Sequence, residues 1–141
     1  MRTVVRECIY KLIFAYLFTG TWDDFLKTTV FQEAKLNEQG IAFAEQLLSS
    51  LKLHIEQIRE EISGYAIGFD KRRIFKADLC AMILAVTEFR YVGGIDTAIT
   101  IDQAVSLSAK YSAENSPNYV NGILAAYIKD HPELYVGGDK Q

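Results

Sequence analysis

Apolar residues recur along most of this chain at intervals of three and four. The clearest run is Ile41, Ala44, Leu48, Leu51, Ile55, Ile58 and Ile62. That spacing puts one face of a helix of about six turns against a core. Glu45, Gln46, Lys52, Glu56, Arg59 and Glu60 occupy the other face. Ser63-Gly64 is expected to end the helix, because glycine tolerates the left-handed cap. An earlier helix is expected from about Thr3 to Phe18, with Val5, Ile9, Leu12, Ile13, Tyr16 and Leu17 inward and Gly20 as its stop. Thr21 then caps a second helix, Trp22 to Ala34, whose Asp23 and Asp24 suit the positive end of the dipole.

Beyond Asp70, a candidate cap of a short turn, Phe75 to Tyr91 is apolar on several sides and reads as a buried helix stopped by Gly93-Gly94. Thr100 and Gln103 form a capping box for a helix through Tyr111. Ser116-Pro117 opens the last helix, with serine as cap and proline in the first turn, and His131-Pro132 stops it. The only prolines, Pro117 and Pro132, interrupt no periodic segment. No strand pattern stands out, apart from a short candidate at Tyr91-Val92. The pattern predicts an all-α fold, a compact bundle of six to seven helices. Residues 1–132 form its single domain, and residues 133–141 are expected to be a mobile tail.

Composition agrees with one globular domain: 141 residues, half of them hydrophobic and 23% charged. A net charge of −3 excludes a protein coated evenly in positive charge but leaves room for local basic patches. Cys8 and Cys80 lie in apolar runs without a CxxC pair, as expected of reduced, buried thiols in a cytoplasmic protein. The apolar stretch from Cys8 to Phe18 is interrupted by Lys11 and is shorter than the roughly 20 residues a membrane span needs. No membrane partner is expected. His54 and His131 lack metal-ligand spacing, so neither a metal nor a cofactor is expected. Nucleophile-elbow, zinc-protease and phosphate-loop motifs are all missing, and no enzyme is expected.

Charge and aromatic residues point to binding instead. Arg2, Arg6 and Lys11 face a single acid, Glu7, in the opening helix. Arg6, Tyr10 and Phe14 follow one another at one-turn spacing. Cations that hold phosphates beside rings that stack unpaired bases make an RNA surface; an ordinary amphipathic flank is the competing reading. Lys71, Arg72, Arg73 and Lys76 form a second basic run, either a solvated face or an extension of the same strip. At the start of the last helix, Asn118 and Asn121 could read base edges and free backbone N–H groups could meet phosphate. Tyr119 beside them is either a stacking ring or a core-edge residue.

Two stretches carry a more specific signal. One is Ile101-x-x-Ala104-Val105-x-Leu107-x-x-x-Tyr111, and the other is Ser116-x-x-Tyr119-Val120-Asn121-Gly122-Ile123-Leu124. With Arg6-Glu7-Cys8 near the start and Ala77-Asp78 leading to Thr87-Glu88-Phe89, they resemble the NusB transcription antitermination factor family. The resemblance spans nearly the whole chain and is weakest from Trp22 to Asp70. It implies an all-helical protein of two small subdomains that binds boxA RNA jointly with the ribosomal protein NusE. It also implies that this complex keeps RNA polymerase elongating through ribosomal RNA operons.

By position, the resemblance implies RNA contacts from Arg2, Arg6, Phe14 and Tyr119; Lys11 joins them on charge alone, and Asn118 and Asn121 on their amides. It implies Asp78 and Glu88 as partner-binding acids. Some positions depart from the family. Thr3, Val4 and Val5 follow Arg2 where an arginine-rich run is common, Leu79 replaces an arginine, Thr87 an aromatic and Ala125 an aspartate. Two alternatives are a helical protein-interaction module and the accessory domain of an RNA cytosine methyltransferase. The second is not expected, since these residues hold no methyl-donor domain.

Overall fold

The computed structural model describes residues 1–69 and 74–137. Of the second basic run, Lys71, Arg72 and Arg73 therefore lie outside the described residues, as does the candidate cap Asp70. The chain forms α1 (Arg2–Thr19), α2 (Asp24–Ala34), α3 (Glu38–Phe69), α4 (Lys76–Thr87), α5 (Thr97–Tyr111) and α6 (Ser116–Asp130). A π-helical turn, Glu88–Val92, continues α4, and a 3-10 turn, Pro132–Leu134, follows α6. No strand occurs among the described residues, and Tyr91-Val92 belongs to the π turn. No helix among them is long and apolar enough to cross a membrane.

Several helix ends differ from the sequence expectation, each for a local reason. The α3 helix runs through Ser63-Gly64 to Phe69, because its apolar stripe continues at buried Ala66 and the Tyr65 hydroxyl donates to Asp130 Oδ2 at 2.7 Å. Gly64 is exposed, and helical glycine costs only about 1 kcal/mol. Asp23, not Thr21, caps α2 by accepting from the Leu26 amide at 3.0 Å. Asp96 caps α5 ahead of the expected Thr100, accepting from the Ala98 amide at 2.8 Å, and Thr100 is buried within the helix. Asn115, not Ser116, precedes α6; the Ser116 hydroxyl is turned toward α4 instead. Part of the expected tail is also anchored. The Thr97 amide donates to the Val136 carbonyl at 2.9 Å, and the Val136 amide donates to Thr97 Oγ1 at 2.8 Å.

The helices share one core. The α4 helix is its axis: every residue from Asp78 to Thr87 is buried, and α1, α3, α5 and α6 all pack on it. This explains why its sequence is apolar on all sides. Ile9 and Ile13 from α1, Leu51 and Ile58 from α3, and Ile123 and Leu124 from α6 join Met82 and Ile83 in that core. Burying each such side chain contributes about 1.5–3 kcal/mol.

At one end, a polar cluster ties three elements together. Arg90 Nε donates to the Tyr127 hydroxyl at 2.5 Å, and that hydroxyl donates to Glu61 Oε1 at 2.9 Å. Burial is the first cause that holds the Tyr127 phenol neutral well above its ordinary range, followed by the Glu61 hydrogen bond.

Candidate nucleic-acid and partner interface

The first turn of α4 is a joint between the opening and closing helices. From α1, the Tyr10 hydroxyl donates to the Ala77 carbonyl at 2.8 Å. From α6, the Ser116 hydroxyl donates to Asp78 Oδ2 at 3.0 Å, and Ser116 also shares a 2.9 Å hydrogen bond with Ser112. The end of α5 completes the joint. Tyr10 and Tyr111 stack with ring centroids 5.2 Å apart, and Glu7 of α1 binds both Lys110 Nζ, at 2.7 Å, and the Tyr111 hydroxyl. The hydrogen bond from Lys110, then that from Tyr111, holds the Glu7 carboxyl below its ordinary range.

Beside this joint, α1 presents Lys11, Phe14 and Phe18 to solvent. They lie at helical spacing, so one face carries all three. Phe14 and Phe18 meet edge to face at 5.1 Å, and Lys76 Nζ lies 5.1 Å from the Phe18 ring centre. Phe75, just before α4, is also exposed. At the opening of α6, Asn118 and Asn121 are exposed and Tyr119 is half-buried. Arg2 is exposed but turned toward α3, its guanidinium carbon 4.2 Å from the Phe43 ring centre.

Three of the residues expected at the surface are inside. Arg6 is 4% exposed and Glu88 is 2% exposed. The Arg6 guanidinium donates to both Glu88 oxygens, at 2.7 and 2.9 Å. Bidentate pairing of this kind satisfies both charges at once. This corrects the reading of Arg6 as a phosphate ligand and of Glu88 as a partner-binding acid, because each already has the other. Asp78 is buried as well, and the partner in reach of it is Ser116. The structure thus leaves Lys11 and Phe14 at the surface beside the α4 joint, and Asn118 and Asn121 exposed on the first turns of α6, whose Ser116 reaches that joint. It sets Arg2 apart on the α3 side and withdraws Arg6, Asp78 and Glu88. Sequence reasoning missed Tyr111, Lys110, Phe18 and Lys76 as one group. The spacing of Tyr10, Phe14 and Phe18 was a signal for the α1 part. Nothing in the sequence tied Glu7 to residues more than 100 positions away.

The fold is that of an all-helical bundle, with Lys11, Phe14, Phe18 and Lys76 exposed beside the start of α4 and Asn118 and Asn121 exposed on α6. Residues 3–129 match the model of the NusB family, and the chain belongs to that family. It is 30% identical over 129 residues to the transcription antitermination protein NusB of Thermoanaerobacter sp. (strain X514), covering 92% of this chain and 91% of that one. It is 37% identical over 134 residues to the transcription antitermination protein NusB of Thermus thermophilus, covering 89% and 88%. Among solved structures, T. maritima NusB superposes with a TM-score of 0.80 at 25% identity, over 95% of this chain and 96% of that one. A crystal structure of antitermination factors NusB and NusE in complex with dsRNA shares the fold, with a TM-score of 0.80 at 24% identity, covering 92% of this chain and 96% of the matched chain.

Proposed function

We propose that the protein is a transcription antitermination factor that binds a boxA-type single-stranded RNA together with a NusE-type ribosomal protein. In this reading it promotes elongation by RNA polymerase through ribosomal RNA operons. The observation that carries the reading is the convergence of α1 and α6 on the first turn of α4. It brings exposed Lys11, Phe14 and Lys76 to the same joint as the turn carrying Asn118 and Asn121. Cations there hold phosphates, rings stack on bases, and amides read base edges. The solved complex that shares this fold contains NusE and dsRNA, which supports a NusE-type protein and an RNA as the two kinds of partner.

The protein partner docks at the apolar end of the strip, on exposed Phe18 and Phe75, where ring burial contributes most. Asp78 supports that end of α4 from beneath through its hydrogen bond from Ser116 of α6.

Fluorescence anisotropy with labelled boxA-type and scrambled RNA, with and without a NusE-type protein, tests the proposal. The expected result is preference for the boxA-type strand, strengthened by the partner. Equal affinity for both strands under both conditions would overturn it.

A further inference from the structure

A cavity of about 290 Å³ opens between α1, α4 and α5, walled by Tyr10, Lys11, Phe14, Ala77 and Tyr111. Three of the five are aromatic. Both tyrosine hydroxyls are already engaged, Tyr10 with the carbonyl of Ala77, itself a wall residue, and Tyr111 with Glu7. Ring faces and edges, rather than phenol oxygens, are therefore what the wall offers. Tyr10 is buried and stacks within 21° of parallel on Tyr111, which holds the Tyr111 ring in place; Tyr111 and Phe14 are the exposed rings of the wall.

One wall residue, Lys11, is cationic, and Lys76 is the chain neighbour of wall residue Ala77, with its ammonium 5.1 Å from the Phe18 ring centre. Lys11 and Lys76 are exposed and form no ion pair among the described residues, while Lys110 is held by Glu7. The volume falls just below the roughly 300–1,000 Å³ of ordinary small-molecule sites, enough for one ring system but not for a duplex edge.

We propose that this cavity takes one unpaired nucleobase of the RNA, with Lys11 and Lys76 on the flanking phosphates. The inference rests on the RNA-binding reading above and adds to it a single base-sized slot. The slot is set by this chain's own Tyr10–Tyr111 pair. With no side-chain amide in its wall, it selects a ring by stacking and tolerates different bases.

An abasic scan tests this. Each nucleotide of the boxA-type strand is replaced in turn by an abasic one, and affinity is measured for the intact protein and for Tyr111→Ala, Tyr111→Phe and Ala77→Leu. One abasic position is expected to lower affinity roughly ten-fold or more for the intact protein and for Tyr111→Phe. The same position should matter little for Tyr111→Ala, which loses the wall, and for Ala77→Leu, which fills the slot. Urea unfolding of each variant checks its fold; should Tyr111→Ala unfold, Ala77→Leu decides.

A flat scan with RNA still bound would overturn the slot while leaving the RNA-binding reading intact. Independent, additive losses would also overturn it. If Ala77→Leu abolished binding of the NusE-type protein and left the scan unchanged, the cavity would belong to a protein side chain instead. Absence of any RNA binding would overturn both inferences.

Discussion

Arg6 and Glu88 lie 82 positions apart and meet as a buried, bidentate pair. Two charges taken out of water are tolerated because each satisfies the other; removing one strands its partner in a medium that cannot solvate it. Arg6→Ala is therefore expected to cost about 3–5 kcal/mol, read as a fall in the urea midpoint. The paired change Arg6→Met with Glu88→Leu should recover most of that loss, because it leaves no orphan charge. A mild Arg6→Ala phenotype combined with lost RNA binding would instead restore a direct RNA role for Arg6.

Glu7 is a second residue whose neighbours set its chemistry. Its carboxyl is held below the ordinary range, first by Lys110 and then by Tyr111. A depressed folded value means that the contribution is present above the unfolded value and is lost as pH falls through the folded one. The contribution should therefore disappear on acidification below about pH 4, the ordinary carboxylate range. Unfolding of the intact protein and Glu7→Gln across that range should show a gap at neutral pH that closes in acid. A pH-independent gap would assign Glu7 a packing role only.

At the level of elements, the hydrophobic period located α1, α3, α4 and α6, because burial on one face leaves a repeat that local sequence displays, while α2 and α5 were found from expected caps. Ends were harder to read, since they are settled by single hydrogen bonds. Asp23 and Asp96 won the caps because their carboxylates reach free amides, while Ser116 was drawn off by Asp78. Gly64 looked like a stop, but packing of Ala66 and the Tyr65–Asp130 hydrogen bond carry α3 past it.

That continuation makes a prediction. A Cβ added at Gly64 meets nothing within 4 Å, and the backbone there is helical. Gly64→Ala should stabilise the protein by about 0.5–1 kcal/mol, through lower entropy of the unfolded chain. Thermal and urea unfolding check it. A loss of stability would mean that the helix needs glycine's freedom at that point.

Across the whole molecule, the candidate binding surface was only partly legible, and the reason is topological. Lys11 and Phe14 could be placed on one face of α1 from spacing alone, and Asn118 and Asn121 on one face of α6. That α1 and α6 share the first turn of α4 depends on two hydrogen bonds spanning 67 and 38 positions, which no local pattern reveals. The same long-range packing decides which cations stay outside: it buries Arg6 and leaves Lys11 exposed on the proposed RNA surface.

The electrostatic consequence can be measured. If Lys11 and Lys76 each neutralise one phosphate of a single strand, each lysine-to-glutamine change should flatten the plot of log affinity against log salt by about 0.7. Asn121→Ala should leave that slope unchanged and instead narrow the difference between boxA-type and scrambled strands, because an amide reads base edges and carries no charge. All three side chains are exposed, so unfolding free energies should stay within about 0.5 kcal/mol of the intact protein. An unchanged slope in both lysine variants would move the phosphate track off α1 and α4, toward exposed Arg2 on the α3 side.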